Sequence, residues 1–280
     1  MKTATTKTIR IGKKNATFQC VIALKENRHK RNTCQEIFIE GTLNIKTALK
    51  YNWTVKHWIF ADKQLSSWAN KMLSSVKTEV NYCFSEELIN EISDRTDKSE
   101  LMAIFEMKKM TVMPSKTPFI IICDKPSKKG NLGSIIRSAD AFGCDGVIVT
   151  GHSVDVYDPE VIGASMGSFF AVQTERLDGN DNIQQRIVDL KAAYPDLVVV
   201  ATTEEGKVSI QDYDFTKPLI LLVGNETSGL NCFYRELCDA TVKIPMVGEA
   251  TSFNVASATS IFLYEIFTQR HIYTTVPRRV

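Results

Sequence analysis

Two segments in the second half of the chain place glycines beside polar side chains that can bind or orient a reacting group. In the first, Gly130-Asn131-Leu132-Gly133 precedes Arg137, and in the second Gly224 and Gly229 flank Glu226. Glycine lets the backbone approach a ligand closely, and a glutamate at the end of a strand can orient a hydroxyl or an amine. Taken alone, each segment is better explained as an ordinary helix start or turn, and a ligand site is the alternative.

A third segment combines an apolar turn with polar side chains. Ile244-Pro245-Met246 ends a short apolar run, and Ser252-Phe253-Asn254 precedes a helical pattern. Serine and asparagine are common amino-terminal caps, so this segment alone indicates only the start of a helix. That helix is apolar on almost every face, which predicts burial against several partners, a second subunit among them.

The elements that must position these segments are almost wholly apolar strands. They are predicted at 119–123, 146–149, 197–201 and 219–223, with a shorter strand at 242–244. Near-continuous Val, Ile and Leu runs separated by helical stretches are typical of parallel strands covered on both faces. Ligands in such sheets bind at the loops that follow the carboxyl ends of the strands, which is where the three segments lie.

Composition excludes several classes of protein. The chain has 280 residues, 44% hydrophobic and 24% charged, and no run long enough for a membrane span, so a globular protein of two domains is expected. Its seven cysteines form no Cys-x-x-Cys pair, which disfavours structural zinc and disulfides and favours the cytoplasm. The phosphate-binding Gly-Lys-Ser/Thr and dinucleotide-binding Gly-x-Gly-x-x-Gly motifs are absent.

Charge is unevenly distributed along the chain. Residues 1–110 hold 19 Lys and Arg against 12 Asp and Glu, a net charge of +7, whereas residues 111–280 hold 15 against 20, a net charge of −5. The excess is greatest in residues 1–31, which are either a solvated tail or a surface for a polyanion. Basic clusters release counterions from phosphate backbones, which favours nucleic acid as the partner.

The first half is predicted to be a small α/β unit. Strands are expected at 36–41, 55–61 and 101–106, and helices at 42–51, 64–75 and 86–94. Two prolines in 113–118 block both helix and interior strand, so this segment is the predicted linker.

Taken in order, the three polar segments resemble the motifs of the SpoU (TrmH-type) RNA 2′-O-ribose methyltransferases, within the SPOUT class. The matching patterns are Asn131-x-Gly133-x-x-x-Arg137-x-Ala139-x-x-Phe142-Gly143, then Gly224-x-Glu226-x-x-Gly229, then Ile244-Pro245-Met246 followed by Ser252-Phe253-Asn254-Val255. The resemblance is close over 119–270 and looser over 17–108. There, Phe38-Ile39-Glu40-Gly41 is similar to the family's substrate-binding domain, itself similar to small ribosomal RNA-binding proteins.

The resemblance implies a parallel-sheet α/β catalytic domain with a carboxyl-terminal trefoil knot, preceded by a small α/β RNA-binding domain. It also implies S-adenosylmethionine as cofactor, RNA as substrate (rRNA rather than tRNA) and a homodimer formed through the knot region. No metal and no membrane partner are expected, in line with the cysteine spacing and the short apolar runs. The expected domains are a basic amino-terminal extension (1–16), a substrate (RNA)-binding domain (17–112), a linker (113–118), a SPOUT methyltransferase domain (119–270) and a tail (271–280).

Site residues follow from the resemblance, motif by motif. The implied reaction centre consists of Asn131, Arg137, Glu226, Ser252 and Asn254. The implied cofactor shelf consists of Thr202, Gly224, Asn225, Glu226, Ile244, Met246 and Phe253, with Thr202 supported only by its position at a strand end. The expected RNA contacts are Arg137, from the first motif, and Arg28, Lys30 and Arg31, from the basic excess in residues 1–31.

Arg137 is interpreted as a clamp for phosphate. The reaction is an in-line attack of a ribose 2′-hydroxyl on a sulfonium methyl, so positioning should supply much of the acceleration. An arginine with a pKa above about 12 is a poor general base, but it can orient the ribose and stabilise developing oxyanion charge.

Two positions depart from the family pattern. Gly163 stands where family members often carry a basic residue, and Phe253 replaces the usual leucine. Neither change removes a motif side chain, so an active enzyme is favoured over a non-catalytic RNA-binding paralogue of the same fold.

Overall fold

The computed structural model describes residues 6–94 and 99–271. The predicted basic extension therefore lies partly, and the predicted tail almost wholly, outside the described residues. The chain divides into two compact units: the first runs to Lys109 and includes Tyr157–Ala171, and the second comprises Met110–Val156 and everything from Val172 onward. No helix within the described ranges is long and apolar enough to cross a membrane.

The first unit is built on a mixed five-stranded sheet. Its elements are β1 (Lys7–Ile11), α1 (Ala16–Glu26), α2 (Arg28–Cys34), β2 (Glu36–Glu40), α3 (Thr42–Lys50), β3 (Val55–Ala61), α4 (Ser67–Ser75), β4 (Val80–Phe84), α5 (Glu86–Ile92) and β5 (Leu101–Glu106). The strand order is β1-β4-β3-β5-β2, with β5 antiparallel to both of its neighbours. Apolar side chains from the sheet, α1 and α5, including Phe18, Phe38 and Phe84, form its core.

The second unit is a seven-stranded sheet in which every pairing is parallel, as the apolar strands predict. Its elements are β6 (Phe119–Asp124), α6 (Lys129–Ala141), β7 (Gly146–Thr150), β8 (Gln173–Leu177), α8 (Asn180–Ala193), β9 (Val198–Thr202), β10 (Val208–Ser209), β11 (Leu219–Val223), α9 (Cys232–Glu236), β12 (Ala240–Lys243) and α10 (Val255–His271). The strand order is β10-β12-β9-β11-β6-β7-β8. The two central strands β6 and β11 are buried on both faces, and the loops at their carboxyl ends carry two of the polar segments.

Residues Tyr157–Ala171 connect β7 to β8 but pack within the first unit. They contain α7 (Pro159–Ala164) and a short 3-10 turn (Ser168–Phe170). Phe169 and Phe170 are buried against Trp53, with ring centroids 5.8 and 5.2 Å away. The predicted methyltransferase domain, 119–270, included this segment. Apolar strand patterns could not reveal that it leaves the second unit, because its partners lie far away in the sequence.

Candidate active site

A cavity of about 600 Å³ lies in the second unit, where the loops after β9, β11 and β12 meet the first turn of α6. All three polar segments contribute to it. Ten predicted site residues line it: Asn131, Thr202, Gly224, Asn225, Glu226, Ile244, Met246, Ser252, Phe253 and Asn254. Arg137 does not. A cavity of several hundred Å³ with apolar walls and a few convergent polar groups suits a small-molecule ligand.

A closed turn directly after β11 accounts for the glycines of the second motif. The N–H of Asn225 donates to the carbonyl oxygen of Gly229 at 2.9 Å, and the N–H of Gly229 donates back at 3.1 Å. Gly229 has a φ of +65°, in the left-handed region that favours glycine. A Cβ on Gly224 would lie 2.6 Å from the carbonyl carbon of Gly229. The two glycines therefore shape the turn that carries Glu226.

The carboxylate of Glu226 joins this turn to the loop before α6. Its Oε2 accepts hydrogen bonds from the N–H and the hydroxyl of Ser127 at 2.9 and 2.7 Å. Its Oε1 accepts from the N–H of Lys128 at 3.0 Å and from Nδ2 of Asn131 at 3.1 Å. Partial burial favours a higher pKa, but the hydrogen bonds from Ser127 and Asn131 outweigh it and hold the pKa of Glu226 below its usual value. The carboxylate is therefore ionised at neutral pH.

Asn254 extends the same network to the third motif. Its Nδ2 donates to Oδ1 of Asn131 at 3.1 Å, and its own Oδ1 accepts from the backbone N–H groups of Ala256 and Ser257. Asn254 is thus the amino-terminal cap of α10, one of the two residues expected to cap it. A single chain of hydrogen bonds joins side chains from all three motifs.

Arg137 lies on the exposed side of α6, as its spacing from the apolar stripe predicts. It makes no hydrogen bond or ion pair within the part of the chain that the structure describes. The next residue, Ser138, is hydrogen-bonded to Ser260 of α10 at 2.8 Å, so the two helices pack side by side. The structure therefore separates Arg137 from the ten residues that line the cavity, and leaves its guanidinium available to a ligand outside it.

The cavity has an apolar wall and a charged rim. Ile244, Met246 and Phe253 form part of the wall, and the ring of Phe253 is exposed. Lys128, Glu204, Glu205 and Arg235 also line the cavity, and sequence analysis did not identify them. Arg235 is 3.7 Å from Glu205. The position of Glu204 and Glu205 just after β9 was the available signal, since loops at strand carboxyl ends carry ligand sites.

The first unit requires one correction to the predicted RNA contacts. Arg31 is only 1% exposed, donates to the carbonyl oxygens of Leu24 and Lys25 at 2.9 and 2.8 Å, and lies 3.5 Å from the carboxylate of Asp158. This side chain is part of the interior and is not a surface contact. Arg28 and Lys30 are half-buried on α2, with part of each side chain accessible.

Comparison with protein families gives two matches. Residues 118–264 match the model of the SpoU rRNA Methylase family, and residues 15–103 match the SpoU L30e-like domain. The first match contains all three polar segments and all ten cavity-lining site residues.

Characterised relatives and solved structures agree with these matches. A 23S rRNA (uridine(2479)-2′-O)-methyltransferase of Streptomyces viridochromogenes is 39% identical over 93% of this chain and 92% of the relative. The crystal structure of the SpoU methyltransferase AviRb from the same organism, in complex with AdoMet, has a TM-score of 0.87 at 38% identity and covers 92% of this chain and 98% of that one. An AdoMet-bound rRNA methyltransferase from Sinorhizobium meliloti has a TM-score of 0.82 at 28% identity, covering 95% and 99% of the two chains.

Proposed function

Because this chain belongs to the SpoU rRNA methylase family, we propose that it transfers a methyl group from S-adenosylmethionine to a ribose 2′-hydroxyl of 23S rRNA. The observation that carries this function is the convergence of the three motifs on one cavity, where nine predicted motif residues meet Thr202. Relatives named as 23S rRNA 2′-O-methyltransferases support the ribosomal substrate.

The cavity fits S-adenosylmethionine in size and in chemistry. Its volume of about 600 Å³ falls within the range of small-molecule sites. Ile244, Met246 and Phe253 would contact the apolar parts of the cofactor, while the backbone groups around Gly224 and the hydroxyl of Thr202 would contact its polar parts. The cofactor supplies a methyl group activated by a sulfonium.

In this reaction the side chains of the protein position the reacting groups and stabilise the charge that develops. Asn131, Glu226 and Asn254 hold the three loops together, and Ser252 lines the same cavity. The exposed guanidinium of Arg137 clamps a phosphate of the RNA, orients the ribose and stabilises the charge that develops on the 2′-oxygen. Alignment for in-line attack accounts for much of the acceleration.

The first unit supplies RNA affinity. It contains the SpoU L30e-like domain and most of the basic half of the chain. We assign RNA contacts to Arg28 and Lys30 on α2, and exclude the buried Arg31. Seven unpaired cysteines suit a reducing compartment, so we place the reaction in the cytoplasm.

The carboxyl-terminal part of the chain is proposed to form a trefoil knot and a homodimer interface. Its path supports the knot: β12 lies beside β9 at one side of the sheet, and α10, which follows it, returns to pack on α6. Exposed Tyr264 and Ile261 on α10 support the interface. Sedimentation of Tyr264→Arg, a change that puts a charge into this face, should give a monomer where the unaltered protein gives a dimer.

Mapping of 2′-O-methyl groups in 23S rRNA from cells with and without the gene tests the function. One ribose should lose its methyl group on deletion and regain it when the gene is restored. The alternative is a non-catalytic RNA-binding paralogue. Calorimetry separates the two, because the enzyme should bind S-adenosylmethionine stoichiometrically, whereas tight RNA binding without cofactor affinity would establish the paralogue.

A further inference from the structure

Ser127 lies outside the three motifs, in the loop between β6 and α6. Its side chain is exposed at the surface, yet both of its donors are directed at one atom. The backbone N–H lies 2.9 Å and the hydroxyl 2.7 Å from Oε2 of Glu226. These two hydrogen bonds connect residues that are 99 positions apart in the sequence.

The carboxylate of Glu226 has a full set of donors. Ser127 supplies both donors to Oε2, and Lys128 and Asn131 supply one each to Oε1. An ionised carboxylate offers about four acceptor positions, so no lone pair is left for a proton of the substrate. Hydrogen bonds to the charged form lower the pKa of a carboxyl, as they do at Glu226.

Other titratable groups around Glu226 do not change its charge near neutral pH. Burial raises the pKa of the Cys123 thiol to about 12, so this group is neutral. Asp124 accepts a hydrogen bond from the N–H of Asn231 at 3.1 Å while burial raises its pKa, and Lys128 lines the cavity. The four hydrogen-bond donors therefore account for the ionised form of the Glu226 carboxylate.

The orientation of the Asn131 amide depends on this carboxylate. Nδ2 of Asn131 donates to Glu226, and Oδ1 accepts from Nδ2 of Asn254, which in turn caps α10. Reversing the amide would place two acceptors, and two donors, against each other. If the Glu226 carboxylate loses its fixed position, Asn131 and Asn254 therefore lose the hydrogen bonds that orient their amides.

We propose that Ser127 is a positioning residue for methyl transfer: it anchors Glu226, which orients Asn131 and Asn254 and is not the acceptor of the 2′-hydroxyl proton. This inference rests on the proposed function. Its physical content, the hydrogen bond from the Ser127 hydroxyl to Glu226, is measurable without any reaction.

Single-turnover methyl transfer of Ser127→Ala and Ser127→Thr, at saturating RNA and cofactor, is the first test. The alanine variant keeps both backbone donors but loses the hydroxyl, and one hydrogen bond to a charged group corresponds to roughly a 10-fold loss of rate. The threonine variant restores the hydroxyl and should recover most of the rate, and the KM for RNA should stay within about twofold. Ser134→Ala, at an exposed position on α6, is the matched control and should behave like the unaltered protein.

The second test is a carbon-13 NMR titration of the Glu226 carboxyl. Because the loss of one donor raises the pKa of Glu226, the titration midpoint should be higher in Ser127→Ala than in the unaltered protein and should return in Ser127→Thr. The acidic limb of the pH–rate profile should move in the same direction. An unchanged rate in Ser127→Ala overturns the proposal, whether or not the titration shifts. If the unaltered protein transfers no methyl group, the proposed function fails, while the titration still decides whether Ser127 anchors Glu226.

Discussion

The two units of this protein differ in how directly their functional side chains can be recognised from sequence. In the second unit, the motifs that resemble the SpoU family selected nine residues and a strand-end position selected Thr202, and all ten line one cavity. In the first unit, the density of positive charge selected Arg31, which is buried against Asp158. Motif residues also meet local backbone requirements, such as the glycine turn after β11 and the cap of α10, which a short stretch of sequence can reveal. The role of a charged side chain depends on its partner, which can lie at any distance along the sequence.

Ion pairs neutralise much of the basic run in the first unit. Arg10 lies 3.1 Å from Asp62, Lys14 lies 2.6 Å from Glu91, and Lys25 lies 2.7 Å from Asp94. Each partner is distant in sequence, so a count over residues 1–31 alone overestimates the positive charge there, whereas the net charge of +7 over residues 1–110 already includes these carboxylates. Exposed pairs of this kind contribute little to stability, and they still reduce the local potential that attracts phosphate.

The largest expected effect is on cofactor affinity, and it tests the role of the turn after β11. A Cβ in Gly224→Ala would lie 2.6 Å from the backbone of both Gly229 and Leu230, so the turn must move. We expect cofactor affinity to fall at least roughly 100-fold by calorimetry, since displacements of about 1 Å have such costs. Gly248→Ala is the control, because its added Cβ meets no atom within 4 Å. Normal affinity in a folded Gly224→Ala protein would separate this turn from the cofactor site.

Arg31→Ala tests the corrected role of a basic residue in the first unit. The substitution leaves the Asp158 carboxylate buried without its cation, which should cost about 3–5 kcal/mol in the free energy of unfolding. Urea denaturation measures this, with Arg10→Ala, whose ion pair is exposed, as the control. A variant of normal stability that binds RNA weakly would restore Arg31 as a direct RNA contact.

Arg137→Ala tests whether the motif residue outside the cavity takes part in the reaction. Its exposed side chain makes no core contact, so the fold and cofactor affinity should be preserved. Loss of one electrostatic contact in the transition state should reduce the single-turnover rate by about 10²–10³-fold. Arg137→Lys keeps the charge without the forked geometry and should recover part of the loss. Near-normal turnover in the alanine variant would remove Arg137 from the mechanism.

The smallest effect concerns a single RNA contact. Lys30 on α2 is hydrogen-bonded to the Cys34 side chain but has no carboxylate within 4 Å in the described ranges. Lys30→Gln should therefore reduce the slope of log affinity against log salt by about 0.7–0.9. Lys14→Gln removes a lysine that is already paired with Glu91 and should change the slope less. Equal slopes for the two variants would contradict the distinction between paired and available charges.

Sequence reasoning predicted the central strands well and the sheet edges poorly. The strands β6 and β11 are buried on both faces, and their apolar runs were recognised to within one residue. The strands that were not predicted are β1, β4, β8 and β10, and three of these four lie at the edge of a sheet. An edge strand has one unpaired side and mixed polarity, so β8, with the sequence Gln-Thr-Glu-Arg-Leu, carries no apolar run.

Sequence reasoning had a similar limit at the candidate active site. Motif spacing located Asn131, Glu226 and Asn254, but the donors that hold Glu226 include Ser127, which belongs to no motif. The pairing of Arg31 with Asp158 spans 127 positions. Neither contact has a local signature, because both arise only when the chain has folded.

The segment Tyr157–Ala171, which leaves the parallel sheet after β7, limits how the first unit can be transferred between genes. The L30e-like domain is matched over residues 15–103, yet its aromatic core is completed by Phe169 and Phe170 on the side of Trp53. A gene fragment that ends after β5 would encode this domain without part of its own interior, and Trp53 would face water. Recombination at the proline linker therefore cannot transfer the L30e-like unit to another enzyme as one continuous piece. A lineage that exchanges this unit must exchange two stretches of gene together, so we expect the two units to be inherited as a pair.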